Sequence, residues 1–312
     1  MATEISQRDT AGAIESRKAK RGSLRVSQRR FVWSVLFPCI SFYLLFRYYP
    51  FIEAFNISLR KYSIVVPDKP FVGFENYVNI MKSSVFRISI GNTFYYAIVT
   101  TLVGLVVALA VALMMHSIPR LTNFYRAIFF LPQITNAIAV AMVWSWLYQP
   151  VYGLFNQILQ MFGLPSIGWL TSPKWAMPSL MLMGIWGGIG MSIIVLMAGL
   201  SGIPRVYHEA CMIDGGNRWH VFWHITLPLL QPTITFILVT GFMGAFNVFS
   251  AVFIMTHGGP LNRTRVLAYH IYQRAFVDLK MGEASAMAFV LFLLVLIITI
   301  FQMRVLQTRW EY

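Results

Sequence analysis

The chain has 312 residues, a formal net charge of +14, 57% hydrophobic residues and only 12% charged ones. Soluble domains carry about 25% charged residues, so a pair of soluble domains is excluded and one polytopic membrane domain is expected. The positive charge does not argue for nucleic acid, because eight of the 25 Lys and Arg lie in the first 30 residues, where a basic segment sets topology and meets anionic headgroups.

Residues 1–30 read as a polar, basic tail without the cleavage site of a secretory signal. Six apolar segments follow, at about 31–55, 94–115, 127–148, 178–200, 228–252 and 286–304, each near the length needed to cross a bilayer. Arg47 and Glu53 fall in the last third of the first, where long side chains snorkel and Tyr48, Tyr49 and Pro50 suit the boundary. An ion pair within the membrane is the other reading of those two charges. The second segment, Phe94 to Met115, holds no charge, and at ~1.5 Å per residue it reaches ~33 Å. Between the third and fourth segments, Tyr152, Gly153, Asn156 and Gly163-Leu164-Pro165 indicate a loop with a short interfacial helix. The fourth carries Gly184 and Gly188 at GxxxG spacing, which serves close helix packing or leaves a gap for a passing solute. Cys39 and Cys211 share no ligand spacing and read as small buried hydrophobes.

Gly202 to Pro232 is an aromatic-rich elbow between two spans. Pro204 suits the first turn of a helix, and Val206, Ala210 and Ile213 then share one face. Asp214-Gly215-Gly216 ends that helix, Asn217 caps the next, and Trp219, Phe222 and Trp223 form its apolar side. Within this stretch Glu209-Ala210-Cys211, Gly215, Ile225, Leu227 and Pro228 reproduce the spacing EAA-x3-G-x9-I-x-L-P. That signature resembles the membrane subunits of bacterial ABC importers that depend on a solute-binding protein, with Cys211 standing where the family usually has Ala.

The resemblance implies an all-α membrane protein with six transmembrane helices and a cytoplasmic coupling helix, the type I importer permease fold. It implies a second permease subunit in a heterodimer, two ATPase subunits and a solute-binding protein as partners, in the bacterial inner membrane. Glu209, Ala210, Cys211, Asp214, Gly215, Ile225, Leu227 and Pro228 would then form the ATPase-coupling loop, 202–227 with the start of the fifth span. Gly215 would permit the sharp exit and Pro228 would fix where that span begins. Thr256, Gly258-Gly259-Pro260 and Thr264 resemble a pattern of the carbohydrate-importing branch, as do Pro70 to Tyr77 and Asn92-Thr93. With both termini in the cytoplasm, the cytoplasmic segments hold 14 Lys and Arg against 10 outside; without the tail the tally is 6 against 10.

No catalytic constellation is expected, nor a cofactor or a metal. No lysine follows a glycine, so a P-loop is absent and ATP hydrolysis must lie in other subunits. His220 and His224 are four apart but lack a third ligand, and His116 and His270 read as interfacial. Near the end of the fifth span, Met243, Phe246, Asn247, Ser250 and Ile254 share a helical face that pairs an aromatic ring with hydrogen-bonding groups, as a sugar requires. Phe246, Asn247 and Ser250 are therefore the candidate solute path, and an interhelical hydrogen bond is the plainer reading of Asn247. The opposite face, with Phe242, Ala245, Phe249, Val252 and Phe253, suits lipid or a packed neighbour. An ion-coupled secondary transporter is the alternative. It is disfavoured because no internal repeat is evident and the four central spans hold no acidic residue.

Overall fold

The structure is a computed structural model that describes residues 31–116, 118 and 122–306; the basic tail lies outside the described residues. Among these the chain is helical, with one isolated antiparallel bridge, Arg60 to Phe71, and no strand. It divides into two units, residues 1–56 and 57–312.

The first unit is seen as the helix α1, Phe31–Ser58, which reaches two residues into the second. A π-helical turn at Leu44–Tyr48 interrupts it and carries Arg47. Asn56 Nδ2 lies 3.4 Å from each oxygen of Glu53, one turn away. Cys39 is exposed, so the expectation of a buried thiol fails there.

The second unit opens with α2 (Glu75–Lys82) and α3 (Ser84–His116). At ~1.5 Å per residue, the 33 residues of α3 exceed the ~30 Å hydrocarbon core. The helix thus begins ten residues before the expected span and carries Asn92 and Thr93 on its polar first part. Its buried stripe includes Ala97, Thr101, Gly104, Ala108 and Ala112. Lipid offers no hydrophobic drive for helix association, so small residues that let backbones approach are what hold such a pair together.

The expected third span is two helices, α4 (Thr122–Ile134) and α5 (Ala137–Leu147), bent by 96°. Pro132 removes a backbone donor near the end of α4. Asn136 then caps a fresh start: its Oδ1 accepts from the N–H of Ile138 at 2.9 Å and of Ala139 at 3.4 Å. The described residues hold five helices able to cross a membrane by length and composition, or six if the bent pair counts as one span.

After the short α6 (Leu154–Met161) comes α7 (Ala176–Ser201), packed along α3 and crossing α4. A Cβ at Gly190 would fall on the backbone carbonyl of Phe129, so α4 and α7 approach as closely as they do only with glycine there. The elbow contributes α8 (Arg205–Ile213) and α9 (Arg218–Val221), the latter continued by a π turn, Phe222–Thr226. Pro228 was expected to open the fifth span. It sits instead in a separate one-turn helix, Leu227–Leu229, and α10 (Gln231–Phe246) starts beyond it with Pro232 in its first turn. A break at Asn247–Phe249 precedes α11 (Ser250–Met255); α12 (Leu267–Tyr272) and α13 (Met281–Val305) complete the unit.

Three apolar clusters anchor these helices. Ala112, Ile193, Leu196, Leu230 and Ile237 lie towards the elbow. Tyr96, Trp144, Tyr148, Leu180 and Val252 form a second cluster towards the far end, and Phe86, Phe246, Leu267 and Met287 a third.

Candidate functional site

The elbow is shaped by its turn. Pro204 has extended backbone and caps α8 from outside rather than sitting in its first turn. Gly215 has φ +83°, a left-handed conformation that glycine adopts without strain. The next N–H, of Gly216, donates to the Cys211 carbonyl at 2.8 Å, and a Cβ on Gly216 would stand 2.5 Å from Cys211 Sγ. The turn thus folds back against Cys211, which leaves no room for a side chain at position 216. The second half begins at Asn217, whose Oδ1 accepts from the His220 N–H at 3.0 Å, while His220 Nδ1 returns to the Asn217 N–H at 3.5 Å. His220 is occupied in that capping box, with the His224 ring stacked 6.0 Å away. His208 Nε2 lies 3.5 Å from Thr226 Oγ1, linking the two halves.

The face expected from Val206, Ala210 and Ile213 is present and points outward. No residue of α8 is buried, and Ile213 is 85% exposed. Trp219 and Trp223 are exposed as well and stack with ring centres 6.4 Å apart. A contiguous exposed apolar surface of this kind marks an interaction site. Glu209 and Asp214 are exposed beside it, whereas Ile225, Leu227 and Pro228 are half-buried where the elbow joins the bundle. Glu209 is the fifth residue of α8, whose first turn carries no acid, so a favourable charge at the helix start does not account for it.

The second feature is a groove of about 430 Å³ between α3, α7 and α10. Its polar lining comes from Tyr96, Thr100 and Thr101 on α3, Gln133 in the last turn of α4, Ser192 on α7 and Thr240 on α10. Thr100 and Thr240 donate to their own helices, to Tyr96 O and Phe236 O, each at 2.7 Å. Thr101 Oγ1 is buried without a hydrogen-bond partner. Both GxxxG glycines line the groove, with different surroundings. A Cβ on Gly184 would meet the hydroxyl of Tyr96, itself a groove residue, so Gly184 also serves packing; Gly188 has no atom within 4 Å of that position.

The residues expected to line the path are not brought together. Phe246 is 1% exposed and packs edge-to-face on Phe94, ring centres 5.0 Å apart. Asn247 is exposed, caps α10 and donates to Met243 O at 2.8 Å, and Ser250 opens the next helix. The shared face required an unbroken helix, and α10 ends at Phe246. Gly244, Ala245 and Val248 line the groove in their place. On the opposite face, of the two expected surroundings it is the packed neighbour that is found: Phe249 and Phe253 stack on each other and pack against Tyr269 and Tyr272. Gln133 was missed; its signal was a polar residue following Pro132 inside an apolar run.

The remaining motifs fasten loops to the bundle. Thr264 donates to Gly259 O at 2.6 Å and lies 2.8 Å from the Thr256 hydroxyl. Asn92 Nδ2 donates to Asn262 O at 2.8 Å and Arg265 O at 3.0 Å, and Thr93 Oγ1 accepts from the Leu267 N–H at 2.8 Å. Asn76 Nδ2 likewise donates to Ser58 O and Arg60 O. His270 is buried rather than interfacial, at 4% exposure, and neither ring nitrogen has a hydrogen-bond partner. Burial, then the nearby Arg265 and Arg274, hold its pKa down at about 4, with Asp278 opposing them.

Residues 84–312 match the family described as "Binding-protein-dependent transport system inner membrane component". A probable ABC transporter permease protein, YurN of Bacillus subtilis, is 31% identical over 92% of this chain and 99% of its own length. The trehalose/maltose transport system permease protein MalF of Thermococcus litoralis is 30% identical over 90% of this chain and 95% of its own. Among solved structures, a chain of a bacterial alginate ABC transporter, in complex with a periplasmic protein bound to alginate pentasaccharide, superposes with a TM-score of 0.80. It is 25% identical, covering 91% of this chain and 97% of that one.

Proposed function

We infer the role of the chain from the family to which it belongs, the binding-protein-dependent transport system inner membrane components. It is a multi-pass permease subunit of an ABC importer for a sugar or related polyol, working with a second permease subunit, ATPase subunits and a solute-binding protein. The groove between α3, α7 and α10 carries the transport reading, as this chain's half of the solute path. Its hydroxyl and amide groups suit a polyhydroxylated solute, and Gly188, Gly241 and Gly244 leave it room. The termini and the elbow lie in the cytoplasm, where the exposed α8, with Glu209 and Ile213, seats on an ATPase subunit. ATP-driven closure of the ATPases then moves the elbow, and the movement passes through the half-buried Leu227 and Pro228 and the buried Leu230 to α10. Hydrolysis belongs to the partners; this chain supplies the path and the lever.

The test is uptake of labelled trehalose or maltose into proteoliposomes that hold the whole assembly, with ATP inside and the binding protein outside. Uptake should require both. Uptake driven by an ion gradient without ATP would overturn the importer reading in favour of a secondary transporter.

A further inference from the structure

We propose that the groove between α3, α7 and α10 passes uncharged polyhydroxylated solutes and rejects their phosphorylated, sulfonated and uronic-acid counterparts. The proposal deepens the transport reading above and rests on it. Two properties of the wall carry it, charge and the direction of the hydrogen bonds. No residue that lines the groove is charged. The helices behind the lining are as bare: α7 and α10 hold no Asp, Glu, Lys, Arg or His. On α3 the charged or titrating side chains of those types are Arg87 and His116, and at ~1.5 Å per residue each lies about 20 Å along the helix from Thr101. Arg126 of α4 lies outside the lining, seven residues before Gln133 and about 10 Å from it along the helix. An anion that leaves water for a membrane-embedded groove needs a counter-charge in contact, and this wall supplies none.

The hydroxyls add direction. A threonine hydroxyl has one hydrogen, and Thr100 and Thr240 give theirs to Tyr96 O and Phe236 O, each at 2.7 Å. Both oxygens are therefore left to the groove as acceptors. They can take a hydrogen bond from a sugar hydroxyl, but they repel the oxygens of a phosphate, sulfonate or carboxylate. Thr101 Oγ1 has no hydrogen-bond partner and can give or take a bond, and the amide of Gln133 offers both. A wall of fixed acceptors with a few mixed groups matches a solute whose own hydroxyls donate as well as accept. With no carboxylate in the lining, an ammonium group finds no counter-charge either.

The test uses the whole assembly in proteoliposomes, with ATP inside and the binding protein outside. Labelled glucose, maltose, trehalose and sorbitol are offered beside labelled glucuronate and glycerol phosphate. ATP-dependent uptake should be confined to the neutral members, with the anionic ones slower by about tenfold or more, the factor that one lost charge-assisted hydrogen bond supplies. An anionic solute carried as fast as the best neutral one would overturn the proposal and leave the importer reading standing, whereas uptake without ATP would overturn that reading. Uptake of no neutral member would also overturn the proposal. The binding protein selects as well, and groove variants separate its part from that of the wall. Thr100→Val and Thr240→Val nearly keep the shape and remove the accepting oxygen. Each should lower the maximal uptake rate of the neutral solute about three- to tenfold, with assembly and the binding protein's affinity for the solute unchanged. Wild-type uptake by the double variant, or loss of assembly in either single one, would show that these hydroxyls do not serve the solute and would overturn the proposal.

Discussion

Gly188 and Gly190, two residues apart on one helix, should respond oppositely to the same added methyl group. At Gly190 a Cβ would fall on the Phe129 carbonyl and 3.2 Å from Phe130 Cα, both backbone atoms of α4 that cannot rotate away. Overpacking of that kind costs about 1–3 kcal/mol, against a helix-propensity gain of about 0.5–1 kcal/mol on replacing glycine. At Gly188 nothing lies within 4 Å, so the propensity gain stands alone. The two alanine variants should then differ by about 2 kcal/mol. At about 2–4 °C per kcal/mol, the gap is roughly 4–8 °C in the apparent melting temperature of the detergent-solubilised assembly, read by fluorescence-detected size exclusion. A larger side chain separates packing from transport. Gly188→Phe should assemble and melt near the wild type, yet lose ATP-dependent uptake, because its ring fills the groove. Equal loss of stability in Gly188→Ala and Gly190→Ala, or normal uptake in Gly188→Phe, would refute this division of α7.

Three further outcomes follow from the elbow and the far-end loops. Glu209→Lys reverses an exposed charge on α8 without touching the bundle, so insertion should be normal while the ATPases dissociate or uncouple; uptake at the wild-type rate would reduce Glu209 to a solvated surface charge. Asn156 donates to Pro150 O and Ile167 O and accepts from Ile167 N–H and Trp169 Nε1, all within 3.0 Å. Asn156→Leu removes four hydrogen bonds made by one buried amide to half-buried groups, each worth about 0.5–1.5 kcal/mol, and should expose the loop after α5 to protease, which digestion of right-side-out vesicles would reveal. For His270, an unfolded imidazole titrates near 6.5 and the folded one at about 4. Between those values the unfolded chain binds more protons, so stability should fall as pH drops from about 6.5 to about 4 and stay flat above it. His270→Met should flatten that slope in melting curves taken at several pH values, and an unchanged slope would assign it to another group.

Composition and hydropathy suffice for the membrane class, because 22 consecutive uncharged residues such as Phe94 to Met115 have no other stable home. The elbow was legible for a similar reason: Gly215 and Asn217 act through their own backbone neighbours, and local chemistry can be read locally. What the sequence could not convey was which side of each element meets protein. Val206 and Ile213 make the pattern of a core-facing helix, yet they point outward, since periodicity defines a face without saying what covers it. Phe246, Asn247 and Ser250 share a face only on a continuous helix, and the break after Phe246 sends the ring into the core and the amide to the surface. Gly184 and Gly188 are the same residue in the same motif and both line the groove, yet Gly184 is closed over by Tyr96 from another helix and Gly188 is open. Local chemistry set the helices, their caps and their turns, and contacts between residues distant in the chain decided which small or polar side chains pack and which line the groove.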